Sequence, residues 1–176
     1  MNHEQVRRKI IEGHLLIGFL LVFAYSFSLH AQSKTDSTER VHFWANLGFG
    51  AASRGLAANG SINIQYSQLL FTIHSSSDSK FFGESLGNYG MLIGITNRAS
   101  RFHYSFSAGI ASVQRGESKY LDPIRYTSRR VGFPLEAQIF IRPTHFFGVG
   151  ICAFLVLSQL GNMVGFTISV QLGSLM

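Results

Sequence analysis

The residue types best suited to chemistry lie in the segment RFHYSFSAGIASVQRGE, residues 101–117. His103 and Ser105 are two positions apart, and a carboxylate, Glu117, follows them. An imidazole can activate a serine hydroxyl for nucleophilic attack, and a carboxylate can orient the imidazole. Spacing of two residues is also what one face of any β-strand gives, so the same residues can be polar side chains that fill the inside of a barrel. We favour the second interpretation.

The first 31 residues have the pattern of a secretory signal peptide. Three basic residues at 7–9 precede an apolar run over 15–29, and the small residue Ala31 precedes a polar stretch. The run is shorter than the roughly 20 residues that a membrane-spanning helix needs. We predict cleavage after Ala31, a polar leader over 32–40 and a barrel domain over 41–176.

The rest of the chain alternates apolar and polar residues in short segments, which is typical of β-strands with two different faces. Of the 176 residues, 46% are hydrophobic and only 14% are charged, so the chain is not disordered. The mean hydropathy is +0.18, which is high for a soluble domain. The sequence predicts eight strands, over 41–51, 55–66, 69–75, 89–96, 102–110, 131–142, 146–157 and 163–173.

The polar faces of these segments indicate which side meets water. A soluble barrel needs Lys and Glu on its outer face, whereas here Gly, Ser, Asn, Thr, Gln and His dominate. Such residues suit a narrow lumen, in which they can hydrogen-bond to one another. The apolar faces carry Phe and Tyr near the strand ends, as an interfacial aromatic belt does. We therefore predict that the apolar face meets lipid.

With these faces, residues 41–174 resemble the small eight-stranded outer-membrane β-barrels, OmpX and the membrane domain of OmpA. The resemblance implies an all-β, antiparallel, up-and-down transmembrane barrel in the outer membrane of a Gram-negative bacterium. Its partners would be outer-membrane lipids, lipopolysaccharide and the barrel-insertion machinery, and we expect a monomer. The alternative is a soluble, periplasmic, lipocalin-like binding barrel with the apolar face inside, since the same period of two serves both folds.

Glu136 is the carboxylate placed in the middle of a predicted inner face, where its burial is costly unless a cation lies near it. The candidate partners are basic side chains expected to face the same lumen, namely Arg142, Arg54, His42, His74 and His103. Such a cluster could select ions in a pore or could form an internal network that closes the barrel. Eight strands enclose only enough space for side chains, so we predict a closed charge network.

The segment 114–130 is predicted to be a long loop, and so is the segment 76–87. The basic side chains of the first are candidates for binding the phosphates of lipopolysaccharide, since Arg suits this geometry. A solvated loop without a specific partner is the alternative. The candidate residues are Arg115, Lys119, Arg125, Arg129 and Arg130.

We predict a non-catalytic barrel with a side-chain-filled lumen and a role in envelope structure or surface interaction. The enzyme alternative is a lipid A-modifying hydrolase, because His103, Ser105 and Glu117 resemble the His-x-Ser and downstream Glu of outer-membrane lipid A 3-O-deacylases. Strand parity points His103 and Ser105 into the lumen, whereas such a hydrolase needs them on the lipid side. No Cys/His group has metal-site spacing, and we expect no cofactor. Export disfavours a nucleic-acid partner despite the net charge of +6.

Overall fold

The computed structural model describes residues 41–80, 83–99, 101–118 and 125–173, without the side chains of 98, 99, 117, 118 and 125–127. Among these residues, no helix is long and apolar enough to cross a membrane. The strands are β1 (Val41–Ala52), β2 (Gly55–Tyr66), β3 (Leu69–Ser79), β4 (Gly83–Ala99), β5 (Phe102–Ser118), β6 (Arg125–Ile141), β7 (Phe147–Ser158) and β8 (Met163–Gly173).

The sheet closes into a barrel, because each strand runs antiparallel to the next and β8 pairs with β1. Following paired residues once around the barrel from Ala51 leads back to β1 at Val41, ten residues earlier. This stagger tilts the strands, typically by about 35–45° from the barrel axis. The path runs through Phe166, Ala153, Ala137, Phe106, Ile95, Leu69 and Tyr66. The prediction of an eight-stranded, antiparallel, up-and-down barrel is confirmed.

The two long loops of the sequence prediction are wrong in their extent. β4, β5 and β6 each have 17 residues. Together with the end of β3, these strands cover most of the segments 76–87 and 114–130. Paired backbone continues as far as Glu117↔Arg125. Apolar alternation marks only the part of a strand with an apolar outer face, whereas the backbone hydrogen bonds extend beyond it. The prediction therefore ended these strands too early.

The outer wall of the barrel is apolar, and most of the inward side chains are polar. Among the described residues, 28 large apolar side chains are exposed, including Met91, Ile110 and Ile168 at 73%, 62% and 67%. Inward residues such as Asn63, His74 and Gln171 are almost completely buried. A lipocalin-like binding barrel has its apolar side chains inside, so that alternative is wrong for this chain.

Candidate functional site

The lumen has a polar middle section between two apolar groups, and it is filled by side chains. Trp44 and Leu70 are buried near the end of the barrel at which β1 begins and β8 ends. A larger apolar group, which we call the lumen plug, lies toward the opposite end. It consists of the buried side chains Ala57, Leu86, Val113, Phe154, Val156 and Met163.

A carboxylate and an imidazole meet in the polar section, across the lumen. Glu136 points inward from β6, and His74 points inward from β3, three strands away. The His74 Nδ1 atom lies 2.5 Å from the Glu136 Oε2 atom, and neither side chain is exposed to solvent. The Gln138 amide donates a hydrogen bond to the other carboxylate oxygen, Oε1. The carboxylate is therefore contacted on both oxygens.

A chain of amide and hydroxyl groups extends from Gln138 around the lumen. The Asn46 Nδ2 group donates to Gln138 Oε1 at 2.9 Å and to Ser61 Oγ at 3.1 Å. Asn63 Nδ2 also donates to Ser61 Oγ, at 3.0 Å, and Thr72 Oγ1 donates to Asn63 Oδ1 at 2.8 Å. These bonds connect β6, β1, β2 and β3, so the charged pair belongs to a continuous hydrogen-bond network.

A second group of polar side chains surrounds the free cysteine. Asn59 Nδ2 lies 2.9 Å from Cys152 Sγ, to which it donates, and Thr167 Oγ1 donates to Asn59 Oδ1 at 3.0 Å. The hydroxyls of Thr167 and Ser169 are 2.9 Å apart. Cys152 is completely buried, which makes it a small packing residue here. Among the described residues, no group of three or more His, Cys, Asp or Glu side chains could hold a metal ion.

His103 and Ser105 lie inside the lumen, and Glu117 is too far along the strand to form a catalytic triad with them. His103 and Ser105 are 1% and 7% exposed. The His103 ring nitrogens contact Thr96 Oγ1 at 2.7 Å and the Gln171 amide nitrogen at 3.1 Å. Glu117 is on the same strand, fourteen positions from His103, or about 45 Å away at 3.3 Å per residue. It cannot orient that imidazole, and this part of the hypothesis is wrong.

The structure also separates the basic residues that the sequence grouped around Glu136. Arg142 directly follows the last residue of β6. It is six positions after Glu136, or about 20 Å away, and its Nη2 atom donates to the Phe102 carbonyl at 3.4 Å. Burial lowers the pKa of the Arg142 guanidinium, because desolvation disfavours its charged form. His103 pairs with Phe140, four positions from Glu136 and about 13 Å away.

Two further predicted members of the network lie near opposite ends of the barrel. His42 is near the start of β1, and Arg54 is in the turn between β1 and β2. Arg54 Nη1 lies 4.0 Å from Glu84 Oε2, and the Arg54 backbone N–H donates to the Asp78 carboxylate at 3.1 Å. Of the predicted partners of Glu136, His74 contacts its carboxylate, whereas His42 and Arg54 lie near the two mouths of the barrel.

The basic residues of segment 114–130 do not share one loop. Arg115 lies at the rim of the lumen, where its Nη2 atom is 3.0 Å from Glu84 Oε2. Arg129 points outward, with its guanidinium carbon 5.7 Å from the centre of the Tyr89 ring. Arg130 Nη1 donates to the Arg129 carbonyl at 3.3 Å. The side chain of Arg125 and all of Lys119 lie outside the described residues.

Sequence reasoning missed the lumen plug and the contact between Arg129 and Tyr89. A signal for the plug exists, because Leu86, Val113 and Val156 are apolar residues at positions of inward parity. Leu86 lies in a segment that was predicted to be a loop, and Val113 lies beyond the predicted end of its strand. Val156 lies on a strand that was predicted from its apolar outer face alone. The Arg129–Tyr89 contact joins β6 to β4 across β5, and no local pattern predicts it.

No protein-family model matches the chain, and no curated protein matches it by sequence. Solved structures do match. Neisserial surface protein A is 10% identical with a TM-score of 0.54, covering 75% of this chain and 94% of that protein. The chain has the fold of small eight-stranded outer-membrane barrels. The N-terminal barrel domain of Pseudomonas aeruginosa OprF shares this fold (10% identity, TM-score 0.57, 75% and 96% covered), as does Ail of Yersinia pestis (8%, 0.52, 78% and 99%).

Proposed function

We propose that this barrel spans the outer membrane of a Gram-negative bacterium and acts there without catalysis, in envelope structure or surface interaction. The apolar outer wall carries the proposal, since contiguous apolar surface of this extent is not stable in water. The barrel termini lie at one end, and we assign that end to the periplasm, with the 17-residue strands β4–β6 rising at the other end. Insertion by the barrel-insertion machinery and a monomeric state belong to the same proposal.

The filled lumen supports a role other than that of a pore or an enzyme. At the level of the lumen plug, Leu86, Val113 and Val156 are 0% exposed, and below them the Glu136 carboxylate is closed off by His74 and Gln138. A substrate acyl chain in the membrane would contact the outer wall, whereas His103 and Ser105 point away from it. The polar inward residues therefore act as packing and hydrogen-bonding groups.

Cell fractionation tests the proposed location. We expect the expressed protein to sediment with outer membranes and to resist extraction by carbonate. On a cold gel, the folded barrel should migrate differently from the boiled chain, because closed barrels resist unfolding by detergent. Recovery of the protein in the soluble periplasmic fraction would refute the proposal.

Analysis of lipid A tests the absence of catalysis. We expect the mass spectrum of lipid A to be the same in cells with the wild-type protein, in cells with Ser105→Ala and in cells without the gene. The reason is that Ser105 and His103 face a filled lumen on β5. An acyl chain that is lost in the presence of the wild type and is retained with Ser105→Ala would establish the hydrolase instead.

A further inference from the structure

The outer wall changes from apolar to polar along four consecutive strands, β3 to β6, toward the end of the barrel opposite the termini. Ile73, Met91 and Ile110 lie in one row of paired residues, and the change on β6 lies farther along, since Val131 pairs with Ser112. These last apolar outward side chains are all between 58% and 73% exposed. Beyond them the outward residues are small or polar, and Tyr89 stands at the boundary on β4, 48% exposed. Among the residues whose side chains are described, the exposed or half-buried outward residues above the boundary are Ser75, Ser77, Ser79, Gly87, Ser112, Gln114 and Arg129. None of these side chains is acidic.

A shallow shelf lies directly above Tyr89. Its floor is Gly87, which pairs with Ser77 on one side and with Gln114 on the other. An ideal Cβ atom on Gly87 would have only the Ser76 carbonyl oxygen within 4 Å, at 4.0 Å, so the space above this glycine is open. We call the surface formed by Ser77, Gly87, Tyr89, Gln114 and Arg129 the outer shelf.

Arg129 is held at one side of the outer shelf by two neighbours. Its guanidinium carbon lies 5.7 Å from the centre of the Tyr89 ring, within the range of a cation–π interaction. With the Gln114 amide assigned so that its oxygen faces the guanidinium, this oxygen accepts from Arg129 Nη2 at 2.7 Å and from Nε at 3.2 Å. The Gln114 contacts use Nη2 and Nε and not Nη1, and the side chain is exposed. The cation is therefore oriented before any ligand binds.

These groups match one kind of lipid head group. A guanidinium binds phosphate with charge-assisted hydrogen bonds, and an aromatic ring beside hydroxyl and amide groups offers a stacking surface and hydrogen bonds to a sugar. The apolar side chains of Ile73, Met91 and Ile110 lie immediately below, where acyl chains of the same molecule would run. We propose that the outer shelf binds the phosphorylated glucosamine head group of lipid A, with Arg129 on a phosphate and the sugar over Gly87 and Tyr89.

This proposal rests on the proposed outer-membrane location, but it can be tested separately. The refolded barrel in detergent is titrated with bisphosphorylated lipid A, and the bound fraction is measured by native mass spectrometry. We expect Arg129→Gln to weaken binding by about tenfold or more, through loss of the charged contact. Gly87→Val should weaken it similarly, because the valine side chain occupies the shelf. Each variant is used only if it shows the same cold-gel shift as the wild type.

The chain offers matched controls for both variants. Gly60→Val places the same side chain on another outward glycine, whose ideal Cβ has neighbours only at 3.6 and 3.8 Å, and it should leave binding unchanged. Arg130→Gln removes the neighbouring positive charge and should have less than a threefold effect. Dephosphorylated lipid A and phosphatidylglycerol should both bind weakly, as the first lacks the anion and the second lacks the sugar.

Three results would overturn the proposal. The first is wild-type affinity in both Arg129→Gln and Gly87→Val. The second is equal binding of phosphatidylglycerol and lipid A, which would reduce the shelf to a charged patch. The third is equal binding of dephosphorylated lipid A, which would leave Arg129 without a phosphate to contact. A failure of the outer-membrane location would instead appear in the fractionation experiment and would leave these affinities measurable.

Discussion

Replacing Glu136 with alanine is expected to lower the free energy of unfolding of the refolded barrel by about 3–5 kcal/mol. The substitution leaves His74, which is 1% exposed, without the carboxylate that lies 2.5 Å from its Nδ1 atom. It also removes the acceptor of the Gln138 amide. A buried polar group that loses its partner keeps its desolvation cost, and this cost accounts for most of the expected loss. Unfolding in urea, followed by tryptophan fluorescence of Trp44, measures the effect.

Two further variants test whether the loss of stability comes from the contact between His74 and Glu136. Ala137→Ser changes the next residue, which points to the outer wall, and it should cost less than about 1 kcal/mol, since surface changes are usually small. In a double-mutant cycle, His74→Ala and Glu136→Ala should lose less together than the sum of the single losses, because each removes the same contact. Additive losses would show that His74 and Glu136 stabilise the barrel independently, and the cross-lumen pair would then have no energetic role.

Ile168→Arg is expected to lower the unfolding free energy in lipid vesicles by about 2–4 kcal/mol, the cost of a charge on the lipid face near the bilayer midplane. Ile168 lies in the middle of β8, is 67% exposed and has Ile151 and Phe49 as paired neighbours. In water, the same substitution at such an exposed site would be almost neutral. The size of the loss therefore reports which solvent the outer wall meets.

Ser79→Arg is the matched control for Ile168→Arg. Ser79 is an outward residue at the end of β3, above the boundary at which the outer wall becomes polar, and we expect less than about 1 kcal/mol because charges near the interface cost little. Equal and small effects at both positions would contradict a lipid-facing wall. Equal and large effects would place the boundary of the apolar wall above Ser79.

The sequence alone determined the number of strands and the direction in which each residue points. Alternation is a local property, since successive side chains of a strand leave opposite faces. Asn46, Ser61, His74 and Gln138 could therefore be assigned to the lumen without knowledge of any partner. The outward direction of the apolar face also followed from local composition, because so few charges occur on the polar face.

Only the tertiary structure decided which inward residues meet. The stagger of ten residues around the barrel sets the height of each strand relative to the others, and no local pattern encodes it. With this stagger, His74 on β3 comes to the level of Glu136 on β6, whereas Arg142 and His103 lie too far along their strands. Glu117 is separated from His103 because both lie on β5, which continues as one strand through the fourteen positions between them.

Strand length was also decided by the tertiary structure. The sequence marks β4, β5 and β6 only where their outer faces are apolar, but backbone pairing between these strands continues above that level. A hydrogen-bonded ladder needs a neighbouring strand and no particular side chain. The outer shelf lies on this additional part of the sheet, and its central contact, Arg129 on Tyr89, exists because β6 and β4 both continue upward beside β5.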